Sequence, residues 1–136
     1  MGLMVVKLDM SKAYDQVEWV FLEKIMEKMG FSRRWIVLIS MCIRFVSYSI
    51  LLNGQPHGFI VPERGLCQGN PLSPYLFLLV IEGLHGLLKK AKAEGSIRGV
   101  PFCQSGPQIS HLLFADDSLI FCRASISECQ KIQSIL

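Results

Sequence analysis

The sequence predicts one mixed α/β (α+β) domain, a sheet with helices packed on it, and three patterns carry that prediction. Short runs rich in β-branched and aromatic residues, Leu3–Asp9 and the segments on either side of Asp116-Asp117, have the composition of strands. Apolar residues recur at helical spacing over 17–29 and again over 32–45, and a long apolar stretch over 73–93 follows a loop rich in glycine and proline. Asn53-Gly54, between the runs 47–52 and 57–61, is a strong hairpin signal. At 136 residues and 15.3 kDa the chain is one domain or part of one, long enough for a core.

In chain order, Leu3–Asp9 reads as a largely buried strand with an acid at its C-terminal end. Asp15-Gln16-Val17-Glu18 has the form of a helix N-cap with an acid three residues on, so Asp15 is expected to cap rather than to do chemistry. The first helix then carries Trp19, Leu22, Ile25, Met26 and Met29 on its core face and ends at Gly30. A second starts at the capping residue Ser32 and buries Trp35, Leu38, Ile39 and Cys42. His57 reads as a surface residue of the hairpin. The stretch from Arg64 to Pro74 is a loop opening onto a helix from Ser73 or Pro74 through Ala93. That helix is buried in its apolar first half, and its basic end (Lys89, Lys90, Lys92) complements the helix dipole. Ile97–Phe102 is a further extended segment, Leu112–Ala115 and Ser118–Cys122 are buried strands, and a last helix starts at Ser125.

Composition excludes several classes. Hydrophobic residues make up 51% and charged ones 18% of the chain, below the roughly 25% charged content usual for soluble domains. That apolar surplus is expected of an inner portion of a larger protein. A net charge of +3 permits a nucleic-acid partner, but no dense basic stripe demands one. Cys42, Cys67, Cys103, Cys122 and Cys129 show no C-x-x-C spacing, so neither a zinc site nor a disulfide framework is suggested and a reducing compartment is expected. The apolar run before Lys7 is too short for a signal peptide, and Gly2 lacks the Ser or Thr that myristoylation needs. The apolar stretch Tyr75–Ile81 falls far short of the roughly 20 residues of a membrane span. The expectation is an intracellular protein, nuclear or cytoplasmic, with no membrane partner.

Asp116 and Asp117 stand between two apolar runs, a costly place for charge. Turn chemistry explains one such pair, because Asp tolerates turn dihedrals and bonds its own backbone. A bound cation explains it too, since adjacent carboxylates repel and an unpaired buried one protonates. Asp9 ends another apolar strand, which favours the cation, and oxygen-only ligands suit Mg²⁺ or Mn²⁺. The loop with Gln68 and Gly69 feeds a helix N-terminus, a place that presents backbone N–H groups to an anion such as a nucleotide's phosphates. It is not a P-loop, because no Gly-Lys-Ser/Thr follows.

Assembled, these parts are palm-like. Two metal ions roughly 4 Å apart, held by Asp9, Asp116 and Asp117, would activate a 3′-hydroxyl and stabilise a leaving pyrophosphate. The sequence resembles the reverse transcriptase domain of non-LTR (LINE-type) retrotransposons, of the plant-genome sort, through Lys7-Leu8-Asp9-Met10-Ser11-Lys12-Ala13-Tyr14-Asp15, Arg64 to Phe77 and Phe114-Ala115-Asp116-Asp117, in the family's order and spacing. The likeness implies an RNA-directed DNA polymerase acting with an RNA template, a DNA primer and deoxynucleoside triphosphates, in a truncated right-hand fold. Residues 1–136 would be part of the palm, without the start of the fingers, the region from the family's fourth motif onward or the thumb. Asp9, Asp116 and Asp117 match its metal-binding catalytic carboxylates. Tyr14, a core aromatic by pattern alone, matches the ring that crowds a ribose 2′-hydroxyl. Gln68 and Gly69 match the loop near the incoming nucleotide and template.

The family usually has Arg and Asp where this chain has Cys67 and Asn70. Without a substrate clamp the isolated chain is expected to lack robust activity. The alternative is a catalytically inactive retroelement remnant with at most weak nucleic-acid binding. Two other classes fit less well. A phosphatase built on an Asp at the end of the first strand wants a second Asp where Ser11 stands, and an RNA-binding sheet wants an aromatic-rich strand that is missing.

Overall fold

The structure is a computed structural model that describes residues 2–9, 12–101, 103, 106–114 and 117–136. In chain order the elements are β1 (Leu3–Asp9), a 3-10 turn (Ala13–Gln16), α1 (Trp19–Lys28), α2 (Arg33–Arg44), β2 (Tyr48–Leu52), β3 (Gln55–Ile60), α3 (Ser73–Ala93), β4 (Val100–Pro101), β5 (Gln108–Ile109), β6 (His111–Phe114), β7 (Asp117–Arg123) and α4 (Ile126–Ile135). They fall into two compact units, Met1–Lys12 with Ile81–Leu136 and Ala13–Val80, so the residues of α3 are divided between them after Val80. The mixed α/β class expected from the sequence is what forms.

The first unit is built on an antiparallel sheet of order β1-β7-β6. β1 and β7 pair without a register shift from Leu3↔Arg123 to Asp9↔Asp117, and β6 pairs with the other edge of β7 from His111↔Ile120 to Phe114↔Asp117. Alternation of side chains divides the sheet into two faces. Ile120 and Cys122, both fully buried, join Leu88 and Ala91 of α3, Ile97 and Ile132 of α4 in one core, with Met4, Val6 and Leu8 of β1 packed against it. Burial also pushes the Cys122 thiol up from its ordinary range. The opposite face stays open: Leu3 and Val5 are 60% and 56% exposed, Leu112 and Phe114 51% and 82%. β1 and β6 are therefore not the buried strands expected, because helices cover one side of the sheet only. Glu128 fastens part of that cover, its Oε2 accepting the backbone N–H groups of Arg98 (3.1 Å) and Arg123 (3.0 Å).

In the second unit α1 and α2 form close to their expected limits, and Ser32 caps α2 by accepting from the Trp35 N–H. The face of α2 is displaced from expectation. Ile36, Ile39 and Ile43 are buried, whereas Trp35 and Leu38 are about half exposed and Cys42 is exposed. Both stripes have helical spacing, and packing against α1 selects the isoleucines. Met29 is likewise 48% exposed. Between the helices, Glu23 takes a hydrogen bond from Ser40 (2.7 Å) and an ion pair from Arg44 (2.8 Å), whose guanidinium also lies over the Trp19 ring. Burial alone would raise the Glu23 carboxyl, but these partners outweigh it and hold it below the usual range.

The expected capping role of Asp15 does not form. Asp15 lies in the 3-10 turn and the N-cap of α1 is Glu18, with no side-chain cap bond. Two backbone bonds hold this segment against the later loop instead, Gly65 N–H to Val17 C=O and Leu66 N–H to Tyr14 C=O, each 2.8 Å. Gly65 is required there, because at φ +90° a Cβ would stand 2.9 Å from the Asp15 carbonyl oxygen. The Asn53-Gly54 hairpin forms as expected, with both residues at positive φ. α3 starts at Ser73 as expected, but its first half is not wholly buried: Leu76 and Phe77 are, while Tyr75 and Leu78 are 68% and 62% exposed.

Candidate active site

The site residues read from the sequence divide between the two units. Asp9 and Asp117 belong to the first; Tyr14, Gln68 and Gly69 belong to the second; Asp116 lies outside the described residues.

Asp9 is the last residue of β1 and Asp117 the first of β7, and the register sets them directly opposite each other. Directly opposed residues share a face with Cβ atoms about 5 Å apart. Both carboxylates are on the open face and exposed to solvent. Like charges so placed repel, and the sequence supplies a cation to offset them: Lys7, two residues before Asp9 and so on the same face, reaches diagonally to Asp117 with Nζ–Oδ1 3.2 Å. The Lys-x-Asp alternation at the end of an apolar strand is the sequence signal for this contact. Phe114, opposite Asp117 on the other edge of β7, adds an exposed ring to the same end of the sheet.

Paired, solvent-facing carboxylates with only oxygen donors are the donor set of a hard divalent cation such as Mg²⁺ or Mn²⁺, and the register of Asp9 and Asp117 fits that requirement. Among the described residues no group of three metal-ligating side chains occurs.

In the second unit, Tyr14 stacks on Phe77 of α3, ring centroids 4.9 Å apart and planes 21° from parallel. The Tyr14–Leu66 backbone bond ties that ring's segment to the loop that carries Gln68 and Gly69. The loop turns tightly: the Asn70 N–H donates to the Cys67 carbonyl (3.3 Å), and Gly69, in the third position, has φ +95°. Gln68 and Gly69 are exposed at the tip. At the two positions that depart from the resembled family, Asn70 bonds through its side chain and Cys67 through its backbone carbonyl. Asn70 Oδ1 accepts the Leu72 N–H (2.9 Å), and the Cys67 carbonyl accepts the Ser73 hydroxyl (2.6 Å) at the start of α3. A hydrogen bond with Cys67, followed by desolvation and the charges of Cys67 and Asp15, pushes the Tyr48 phenol up to about 12. The Tyr48 and Phe77 contacts were not foreseen from the sequence, which offers no local signal for them.

All five cysteines are free, His57 is exposed, and no helix among the described residues is long and apolar enough to cross a membrane.

Comparison with known proteins places these features. The chain is 50% identical over 68 residues to an uncharacterized mitochondrial protein of Arabidopsis thaliana, a match covering 50% of this chain and 56% of that protein. It is 32% identical over 116 residues to a retrovirus-related Pol polyprotein from a type-1 retrotransposable element R2 of Popillia japonica, covering 85% of this chain and 18% of the polyprotein. It is 26% identical over 122 residues to the Pol polyprotein of the type-2 element R2DM of Drosophila melanogaster, covering 86% and 10%. The chain thus spans little more than half the length of the first relative and under a fifth of the Pol polyproteins. The sequence profile of the reverse transcriptase (RNA-dependent DNA polymerase) family matches residues 2–136, and the chain belongs to that family.

Proposed function

We propose that this chain is the palm portion, residues 1–136, of a LINE-type non-LTR reverse transcriptase and contributes the carboxylates of an RNA-directed DNA polymerase. The observation that carries the proposal is the placement of Asp9 directly across from Asp117 on an open sheet face. Asp9 and Asp117, with Asp116 by family likeness, are the residues that hold Mg²⁺ or Mn²⁺. Bound there, the cations supply the Lewis acidity that activates a primer 3′-hydroxyl and the charge that stabilises leaving pyrophosphate.

The remaining roles fall to the protein. Lys7, paired with Asp117 at 3.2 Å, offsets the repulsion between the two carboxylates and would have to give up that contact for Asp117 to hold a cation. Leu112, Phe114 and Val5 offer an apolar floor beside the acids for the sugar and base edges of an RNA template and DNA primer. Tyr14, held by its stack on Phe77, sets a rigid ring edge against a 2′-hydroxyl and so favours deoxynucleoside triphosphates. Gln68 and Gly69, at the tip of a tight turn, serve the incoming nucleotide and template. Five free thiols suit the reducing interior of the cell, nuclear or cytoplasmic.

Titration of the chain with Mn²⁺, followed by water-proton relaxation, tests the proposal. Saturable binding that weakens at least about tenfold (~1.4 kcal/mol) in Asp9→Asn and in Asp117→Asn is expected. Binding unchanged in both variants would overturn the carboxylate assignment and leave the alternative, an inactive remnant of the element.

A further inference from the structure

At the other end of β7 from Asp117, the first unit contains a cleft that none of the roles above uses. It has a volume of about 510 Å³ and is lined by Ser96, Arg98, Arg123, Ser125, Ser127 and Lys131 around Gly95 and Glu128. β7 is seven residues long, which separates Arg123 from Asp117 by about 20 Å.

The lining has an unusual chemical makeup. The residues that line it are three basic, three hydroxyl-bearing, one acidic and one glycine, with no aromatic or aliphatic residue among them. One oxygen of that carboxylate is already engaged. Glu128 is 7% exposed, and its Oε2 is engaged by the backbone N–H groups of Arg98 and Arg123. Among the described residues neither Arg98 nor Lys131 has an acidic partner within ion-pair distance. The chain around the cleft is well fixed. Gly95, at φ +71°, closes α3 with its N–H on the Lys92 carbonyl, and the Ser96 N–H bonds the Ala91 carbonyl. On the far wall Ser125 caps α4, accepting from the Glu128 N–H at 3.3 Å.

A net-positive cleft with hydroxyl donors and no surface on which a ring can stack recognises phosphate and not a nucleobase. Its volume is larger than one phosphate ion needs, and Arg98 and Ser127 of its lining are exposed to solvent. We propose that this cleft is a second nucleic-acid contact, gripping backbone phosphates of a single strand without regard to base sequence. The inference is independent of polymerisation, since it makes no use of Asp9 or Asp117.

The test is fluorescence anisotropy of the 136-residue chain with labelled single-stranded oligonucleotides of two unrelated sequences, in EDTA, over a salt series. Both are expected to bind alike. Arg98→Gln with Lys131→Gln is expected to weaken binding at least about tenfold at low salt and to reduce the log–log salt slope by about 1.4, two contacts at ~0.7 each. Lys24→Gln with Lys28→Gln, on α1, is expected to change neither. In the unaltered protein, bound oligonucleotide is expected to protect Lys131 from acetylation more than Lys24, a readout that needs no variant. An unchanged slope together with unprotected Lys131 would overturn the proposal. So would protection by inorganic phosphate or by a phosphopeptide but not by oligonucleotide. Because EDTA removes divalent ions, failure here leaves the Mn²⁺ titration unaffected, and the reverse holds.

Discussion

Two antiparallel strand pairs in this protein are written in similar sequence and reach different ends. β1 and β7 keep an unbroken register over seven residues, and one of their faces is sealed by α3 and α4. β2 and β3 turn through Asn53-Gly54, shift register between Tyr48 and Ile50, and leave every residue exposed, Leu51 at 70% and Phe59 at 76%. Apolar strand composition is common to both. What separates them is cover, and a covered face fixes register, because a slip of one residue would turn the whole apolar set to solvent. The pair that sets Asp9 opposite Asp117, where the carboxylate site is proposed, is the covered one.

The sharpest way to break this comparison is to cut one side chain from each pair. Ile120→Ala, at a fully buried position, is expected to cost about 2–5 kcal/mol in urea unfolding, whereas Leu51→Ala on the ribbon is expected to stay within about 0.5 kcal/mol. Equal losses would mean that the ribbon is covered in solution. Next in size, Glu128→Ala strips the acceptor from two backbone N–H groups that hold the cover, at an expected cost of about 1–3 kcal/mol by the same measurement. Smaller and of opposite sign, Ser118→Ala is expected to be neutral or to raise the melting temperature. The Ser118 hydroxyl is fully buried and has no hydrogen-bond partner among the described residues, so its removal relieves a desolvation cost of about 1 kcal/mol.

A pH series sharpens the comparison at the β6 edge. His111 Nε2 lies 2.8 Å from His85 Nδ1 on α3, and its Nδ1 lies 2.9 Å from the Ser110 hydroxyl. Burial first, then the charges of His85 and Lys92, hold the His111 imidazole below its ordinary value of 6.5. The folded state therefore binds fewer protons there than the unfolded chain. The stability it contributes is present above pH 6.5 and is lost as pH falls through the folded value. Melting temperatures of the wild type are expected to drop on that acid side, and His111→Asn is expected to flatten the slope; identical slopes would remove His111 from the account.

Much of this was legible in the sequence, for reasons that differ by element. The Asn-Gly turn, the Ser32 cap, the start of the last helix at Ser125 and the start of α3 are local signals, and each lies where those signals put it. The limits of β1, with Asp9 at its end, were legible too, whereas β7 extends one residue beyond the expected Ser118–Cys122 at each end and takes in Asp117. Which stripe of α2 is buried was not, since Trp35-Leu38 and Ile36-Ile39-Ile43 are equally periodic and only the partner helix chooses. The exposure of Leu112 and Phe114 was illegible for the same reason: strand composition records a preference for a pleated surface, not what lies over it. Asp15 reads as a cap because its spacing is right, and it fails because two long-range backbone bonds to the 65–66 segment hold the chain in a 3-10 turn. The pairing of Lys7 with Asp117 was not legible, since only the strand register brings the two together.

The central claim is that Asp9 and Asp117 act as one cation site, and a double-mutant cycle on Mn²⁺ affinity tests it most directly. The account predicts strong non-additivity, with Asp9→Asn or Asp117→Asn alone losing nearly as much affinity as the two together. Losses that simply add, each substitution removing its own share whatever stands opposite, would contradict it.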